Sequence, residues 1–405
     1  MSAADVKPPS RRPRDRGAQI AARAGELFAA RGYQSVKMED IAEAAGITPR
    51  AIYRHFDNKQ ALLAQVVHAQ QGPVIELIER LGAEDDDSSP VQRLTALTEV
   101  HMDSRRLSVL WQREARHLQD AEYALIRKRT VALARDYIAL IVAPFRPDLD
   151  PRDDATMFRA WTLGSVVSSS SYFDVTISRA QLVHELVEAA QRVIMSTTPE
   201  PEAAAARPAP TRRTPGSRRE QLIAASAHAF RRSGYAGVSI DDIGHEVGLV
   251  GPALYRYFDN KADILIAAAT RFSEWRALET LRALEREPRA DRVVHRLISS
   301  YASLAAEYPE LVSLSLTERL FLPAEVRERL QRAESETLAE WQRWLLEARP
   351  DLESQQAAVR VNVTRTVIDD CVRTGRLRSM PDFEADLRAV ALATLGVDGA
   401  SAPSA

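Results

Sequence analysis

Cysteine is nearly absent: one residue, Cys371, in 405. A single thiol excludes an internal disulfide framework and fits a reducing cytoplasm, where its simplest role is a small apolar filler on a helix. No hydrophobic run is long enough to cross a bilayer. The N-terminal cations Lys7, Arg11, Arg12, Arg14 and Arg16 stand among prolines with no apolar segment behind them, which is not the layout of a secretory signal. Net charge is almost missing as well, at −2 from 54 Lys and Arg against 56 Asp and Glu, so whatever positive field exists must be local. The eight histidines are scattered, with no metal-ligand pair on one helix face. No Gly-rich phosphate loop follows a strand, and the acidic run Glu84 to Asp87 sits in a loop without partner ligands nearby. Neither a metal nor another cofactor is expected, and an enzyme is disfavoured. Strand signals are missing too: no alternating segments lie between Gly and Asn turns. The remaining 45% hydrophobic content is ample for two to four domains of an all-α fold.

What is present is a repeat. From Val36 the chain reads V-K-M-E-D-I-A-E-A-A-G-I-T-P-R-A-I-Y-R-H-F-D-N-K, and from Val238 it reads V-S-I-D-D-I-G-H-E-V-G-L-V-G-P-A-L-Y-R-Y-F-D-N-K. Gly32, Ile41, Gly46, Tyr53, Phe56 and Lys59 return as Gly234, Ile243, Gly248, Tyr255, Phe258 and Lys261, all at an offset of 202. Each copy reads as helix, tight turn, helix. Met38, Ile41, Ala42 and Ala45 share a helical face, Gly46 closes the turn, Thr48 caps the next helix and Pro49 opens it. That second helix, Pro49 to His55, buries Ile52 and Phe56 and turns Arg50, Tyr53, Arg54 and His55 elsewhere. A lone copy could be a plain packing corner. Two copies with one signature argue for a major-groove reader.

The string G-Y-x-x-V…D-I-A-E-A-A-G-I-T-x-x-A-I-Y-R-H-F-D-N-K-x-x-L-L resembles the N-terminal domain of the tetracycline-repressor (TetR) family, over about forty-five residues in each half. The whole chain resembles two such regulators fused head to tail, a layout similar to actinobacterial repressors of mammalian-cell-entry operons. The duplication reaches beyond the reader: Leu107…R-E-A-R-H-L parallels Leu311…T-E-R-L-F-L at an offset of 204, placing Glu114 opposite Glu318.

The expected organisation is a basic arm at 1–13, a first reader domain at 14–80, a first helical regulatory domain at 81–196 and a Pro/Ala/Arg-rich linker at 197–215. A second reader domain at 216–280, a second helical domain at 281–397 and a tail at 398–405 follow. Helices are expected over Arg14–Arg31, Val91–Met102, Leu107–Leu118, Tyr123–Ile141, Met157–Phe173 and Ala180–Met195. In the second half they are expected over Gln221–Ser233, Lys261 to about Arg286, Val293–Ala306, Leu311–Phe321, Ala324–Leu346, Leu352–Thr374 and Phe383–Leu395. About twenty extended linker residues reach up to roughly 65 Å. Arg212, Arg213, Arg218 and Arg219 repeat the basic cluster in front of the second reader, as phosphate contact requires.

The resemblance implies that the second helix of each reader enters the major groove of a double-stranded DNA operator. Thr48, Pro49 and Arg50 would meet base edges, with Arg50 chelating guanine. Tyr53, His55, Lys37 and Lys59 would reach phosphates. In the second half Val250, Gly251 and Pro252 stand where the first has Thr48, Pro49 and Arg50. There Gly251 is expected as the cap, Ser239 makes a capping box, and Tyr255, Tyr257 and Lys261 carry contact. The family also implies a small effector, expected to be apolar, in the helical core. Its expected lining is His101, Met102, Trp111, Glu114 and His117 in the first half, and Tyr301, Thr317, Glu318 and Phe321 in the second. The helices around Met157–Phe173 and Ala180–Met195 would pair with Leu352–Thr374 and Phe383–Leu395 as an intramolecular pseudo-dimer, with Ser168 to Ser171 permitting close approach; two chains could then pair again. The expected function is a cytoplasmic, nucleoid-associated, ligand-responsive repressor reading an asymmetric operator. In the alternative, only the first reader contacts DNA and the second half serves pairing or effector binding.

Overall fold

The computed structural model describes residues 13–197, 216–285 and 288–397. The tail, the linker beyond Thr197 and the arm before Pro13, with Lys7, Arg11, Arg12, Arg212 and Arg213, lie outside the described residues.

Nineteen α-helices and no strands occur among the described residues. The first half holds α1 (Pro13–Arg31), α2 (Met38–Ala44), α3 (Pro49–Ile52), α4 (Lys59–Leu81), α5 (Pro90–Asp103), α6 (Arg105–Glu114), α7 (Asp120–Tyr137), α8 (Ala143–Phe145), α9 (Asp154–Ser168) and α10 (Arg179–Met195). The second holds α11 (Arg218–Ser233), α12 (Ile240–Glu246), α13 (Lys261–Leu284), α14 (Ala290–Glu307), α15 (Pro309–Thr317), α16 (Ala324–Ala348), α17 (Ser354–Arg373), α18 (Gly375–Arg378) and α19 (Phe383–Leu395). Boundaries follow local chemistry. Ser89 with Gln92 and Ser178 with Gln181 form reciprocal capping boxes ahead of α5 and α10. Asn58 and Asn260 accept from Ala61 N and Asp263 N at the starts of α4 and α13. The expected helices over Leu107–Leu118 and Leu311–Phe321 end sooner, each finishing in a 3-10 turn, Ala115–His117 and Arg319–Phe321. No helix among the described residues is long and apolar enough to cross a membrane.

By contacts the chain forms two units, Met1–Pro73 with Arg106–Arg127, and Val74–Arg105 with Lys128–Ala405. The first encloses its own core, with Ile20 and Phe28 of α1, Ile41 of α2, Ile52 of α3, Leu62 and Val66 of α4 and Leu110 of α6 all buried together. In the second, the other reader's core residues Leu222, Phe230, Ile243, Leu254 and Phe258 belong to the same cluster as the helical bodies of both halves. The two readers, alike in sequence, are therefore seated in different packing environments.

Within the second unit, α9 and α10 of the first half pack against α17 and α19 of the second. Their contact is apolar at Phe158 and Phe383, whose rings meet edge-on at 6.0 Å, and finely polar elsewhere. Ser165 donates to Asp370, and Thr162 lies 3.9 Å from the Cys371 sulfur. Cys371 is buried, which pushes its thiol well above the usual range and fits the filler role. Arg192 donates to the Ala393 and Thr394 carbonyls at the end of α19, at 3.1 and 3.2 Å, satisfying acceptors that the helix leaves open. The four serines do not extend a straight helix: α9 ends at Ser168, and Ser169–Ser171 form a 3-10 turn packed on α17.

An ion pair is buried in this contact, Arg360 Nε to Glu185 Oε2 at 3.1 Å, with Gln356 donating to the other carboxylate oxygen at 2.7 Å. The same 201-residue offset relates Arg360 to Arg159 and Asp386 to Glu185, so a quasi-twofold places a second such pair across the contact. There Arg159 also donates to Ser196 O at 2.9 Å, and the Asp386 carboxyl is pushed up to about 6 by burial, with Arg159 opposing and Asp382 adding to the shift.

Two outcomes follow for this contact. Glu185→Ala strands the Arg360 guanidinium and lowers the unfolding free energy in urea by about 3 kcal/mol, whereas Glu185→Ala with Arg360→Met recovers most of the loss. Asp386 binds its proton more tightly folded than unfolded, so its contribution to stability is full at low pH and fades as pH rises through about 6. Asp386→Asn should raise the thermal midpoint at pH 7.5 and flatten its change between pH 5 and 7.

Candidate nucleic-acid interface

Each reader is set by a left-handed glycine. Gly46 and Gly248 hold φ of +64° and +69°, which a Cβ would strain, and Ile47 N and Leu249 N bond back to Ala42 O and Gly244 O at 2.9 Å. In the first reader α3 buries Ile52 and leaves Thr48, Pro49, Arg50, Tyr53, Arg54 and His55 exposed. The reading helix is shorter than expected: α3 ends at Ile52 and Tyr53 to His55 continue as turn. Thr48 occupies the cap position, but its hydroxyl makes no cap bond, so it is free to face outward. At α2 only half a capping box forms. Asp40 accepts from Lys37 N at 2.7 Å, and a lysine side chain has no acceptor to return; Lys37 points to solvent.

The second reader differs in kind. Its reading element is a 3-10 helix over Gly251–Arg256, wound tighter than α3. Val250 is the cap, with Gly251 first and Pro252 second, which corrects the expectation that Gly251 caps. Ser239 completes the reciprocal box with Asp242 at 2.8 and 3.1 Å. Leu254 is buried, and Tyr255, Arg256 and Tyr257 are exposed, with Val250 61% exposed beside them. Arg54, already turned outward by the helical pattern, and Arg256 had no contact assigned to them. Their signal was available: the Y-R dipeptide recurs at the 202 offset, and both guanidinium groups stand on the outward side.

The two lysines are the main correction. Lys261 Nζ donates to Tyr235 O and Val238 O, each at 2.6 Å, and lies 4.2 Å from the Tyr235 ring centroid. Lys59 Nζ sits over Tyr33 at the same distance. Burial lowers both ammonium groups below the usual lysine value, opposed by Glu114 and Asp40 at Lys59 and by Asp242 and Glu318 at Lys261. They lock the loop after the first helix of each reader instead of standing free. Two basic-arm arginines behave likewise: Arg16 reaches Ala45 O at 3.4 Å, and Arg218 reaches Val247 O at 2.9 Å. Both close the C-terminus of the helix before the turn.

Most of the expected pocket residues serve this base. In the first unit Glu114 is buried and pairs with Arg113, whose guanidinium donates to Phe28 O and Ala29 O at 2.6 and 2.7 Å. His117 stacks on Tyr33 at 5.0 Å. Burial lowers its pKa to about 4, with Arg116 and Lys59 adding, so the ring is neutral at pH 7. Trp111 stacks on Tyr123 at 5.8 Å. In the second unit Glu318 accepts from Tyr235 N at 2.9 Å and from Thr317 at 2.8 Å, and Phe321 stacks on Tyr235 at 5.1 Å. His101 bonds Tyr137 Oη at 2.9 Å, and Met102 is buried in the core. Tyr301 lines a small pocket among α13–α17. Glu114 and His117 thus pack against the first helix of their reader and the loop after it, and Thr317, Glu318 and Phe321 gather around Tyr235 in the second half. Among the described residues no three His, Cys, Asp or Glu group as a metal site.

Two helix–turn–helix units with exposed cations and aromatics on their reading elements, each followed by a helical body, define a DNA-binding regulator built twice on one chain. The family pattern described as "Bacterial regulatory proteins, tetR family" matches residues 20–66 and 222–268, and the chain is a tandem regulator of that family. It is similar to the HTH-type transcriptional repressor KstR2 of Mycolicibacterium smegmatis, 25% identical over 34% of this chain and 71% of that protein. It is also similar to the HTH-type transcriptional activator FasR of the same organism, 32% identical over 23% of this chain but only 42% of that protein. A solved TetR-family regulator from Bordetella parapertussis aligns at 24% identity over 43% of this chain and 93% of its own, with a TM-score of 0.40. The family and these relatives are regulators and not enzymes.

The lysine lock is testable. Lys261→Met removes two charge-assisted bonds, about 2 kcal/mol, and should lower the thermal midpoint. Arg256→Ala, on the open surface, should leave the midpoint within a degree or so of the native chain.

Proposed function

We propose that the chain is a ligand-responsive transcriptional repressor whose two unlike readers contact an asymmetric operator as a covalent pseudo-dimer, acting in the cytoplasm on nucleoid DNA. The observation that carries the reading is the packing of α9 and α10 on α17 and α19 within one polypeptide, where ordinary members of the family pair two chains. Unlike halves remove the requirement that operator symmetry mirror protein symmetry. Arg50 would chelate guanine N7 and O6, with Thr48 and Pro49 beside it on base edges. Lys37, Tyr53, Arg54 and His55 would flank them on phosphates. In the second half Ser239, Gly251, Pro252, Tyr255, Arg256 and Tyr257 would make a less charged, more apolar contact, with the exposed Val250 suited to a thymine methyl. Repression is the reading taken from KstR2, whose printed role is repressor; FasR, named as an activator, supports the opposite sign.

A second reading keeps DNA contact to the first half. It is favoured by the 3-10 winding at Gly251–Arg256 and by the missing counterpart of Arg50.

Selection of bound DNA from a random pool by the pure full chain, at two salt concentrations, separates these. The expected result is a site with two unlike halves about one helical turn apart or a little more, and an affinity that falls steeply with salt. Arg50→Ala should cost about 1–3 kcal/mol and relax preference at one base pair only. A perfect palindrome as the tightest site overturns the asymmetric reading, and a footprint over one half-site favours the second.

A further inference from the structure

The reading element of the second reader breaks a rule that its neighbours keep. Ser239 closes a capping box with Asp242 ahead of α12, and Asn260 accepts from Asp263 N at 3.0 Å ahead of α13. Between them the cap of the reading element is Val250, in extended backbone at φ −130° and ψ 144°. Valine is among the poorest cap residues, because it offers the open N–H groups no acceptor. Its side chain is also the most exposed large apolar group among the described residues, at 61%, and Tyr255 and Tyr257 are exposed a few residues on. A residue that breaks a local rule and stands bare in water belongs where a partner covers it.

The first reader has Thr48 at this position, 202 residues earlier. Threonine and valine share one shape, with a hydroxyl in the first where the second has a methyl. The exchange therefore alters chemistry and not size. Two residues on, Pro252 stands where the first reader has Arg50, so the run Val250, Gly251, Pro252 holds no side-chain donor or acceptor. Lys261 and Arg218 are engaged with the backbone, at Tyr235 O and Val238 O and at Val247 O.

The turn that presents Val250 is closed tightly. A Cβ on Gly244 would lie 2.7 Å from Leu249 O and 2.5 Å from a Leu254 methyl carbon, and the first reader carries Ala42 there. Leu249 N bonds Gly244 O at 2.9 Å, which fixes the residue just before Val250. Branching at Cβ restricts the valine side chain further, so little rotamer freedom is lost when its methyls are covered.

In the major groove, thymine alone among the four bases offers an apolar group, its 5-methyl. Guanine, adenine and cytosine offer donors or acceptors that would lose water against Val250 and gain no partner. We propose, on the two-reader reading above, that the second reader selects its half-site by thymine methyl groups, with Val250 as the specificity-determining side chain. The two half-sites then differ in chemistry as well as in sequence: a guanine chelated by Arg50 in one, a methyl packed on Val250 in the other.

The test takes the operator that the full chain selects and replaces thymine by deoxyuridine, which pairs identically and lacks only the 5-methyl. The second half-site is the one whose base preference survives Arg50→Ala. At least one single replacement there should weaken binding about fourfold, the value of one buried methyl group. Val250→Ala should weaken the thymine operator by a similar factor and bind the thymine and deoxyuridine forms equally, whereas Arg50→Ala should keep the difference. The Val250 site is on the surface, so the variant should unfold within a degree or so of the native chain. A second half-site without thymine, unchanged affinity after every thymine in it is replaced, or a Val250→Ala chain that still tells the two forms apart overturns the proposal while a footprint over both half-sites leaves the two-reader reading standing. A footprint over one half-site overturns both.

Discussion

Burial of α9 and α10 against α17 and α19 is the constraint to which the rest answers. Small side chains line the contact at Thr162, Ser165, Ala190 and Ala391, so the backbones come close and little slack remains for another register. Polar groups inside it then matter for position more than for net energy. A buried pair such as Arg360 with Glu185 gains little over an apolar contact of the same shape, but a mismatch that leaves either charge alone is heavily penalised. At the pseudo-equivalent position Arg159 also donates to Ser196 O, and the Asp386 carboxyl is held above its ordinary value by burial.

Each half carries a repeated cluster of lysine, aromatic ring and buried glutamate beside its reader. Lys59, Tyr33 and Glu114 correspond to Lys261, Tyr235 and Glu318 at offsets of 202 and 204. The glutamate sits at the end of α6 or just after α15, and its neighbours touch the loop after the first reader helix. A shift of α15 cannot leave Tyr235 unmoved, since Glu318 holds its amide and Phe321 covers its ring.

The all-α class, the repeat and the exposed face of each reading element were legible in the sequence. They rest on short-range signals: 3.6-residue periodicity, the turn glycines Gly46 and Gly248, and the Ser239 capping box. Roles that depend on long-range packing were less legible. Glu114, His117, Glu318 and Phe321 read as pocket residues because they combine polar or aromatic character with helical spacing, and nothing local reveals that their partners lie some eighty residues upstream at Phe28, Tyr33 and Tyr235. Lys59 and Lys261 look like free cations at helix starts until Tyr33 and Tyr235 are seen beneath them. The buried ion-pair cluster of Arg276, Glu334 and Arg365 was illegible for the same reason, since its members are spread over ninety residues and each alone resembles an ordinary surface charge.

Keeping all four interface helices on one polypeptide also changes how the molecule responds to scarcity. A regulator assembled from two separate chains loses its paired form as the square of the copy number when few molecules are present. Here the contact between α9–α10 and α17–α19 is internal and does not dissociate on dilution, so the pairing of the two halves is independent of the number of chains. A cell could keep such a protein at a handful of copies, with no reserve set aside to drive assembly.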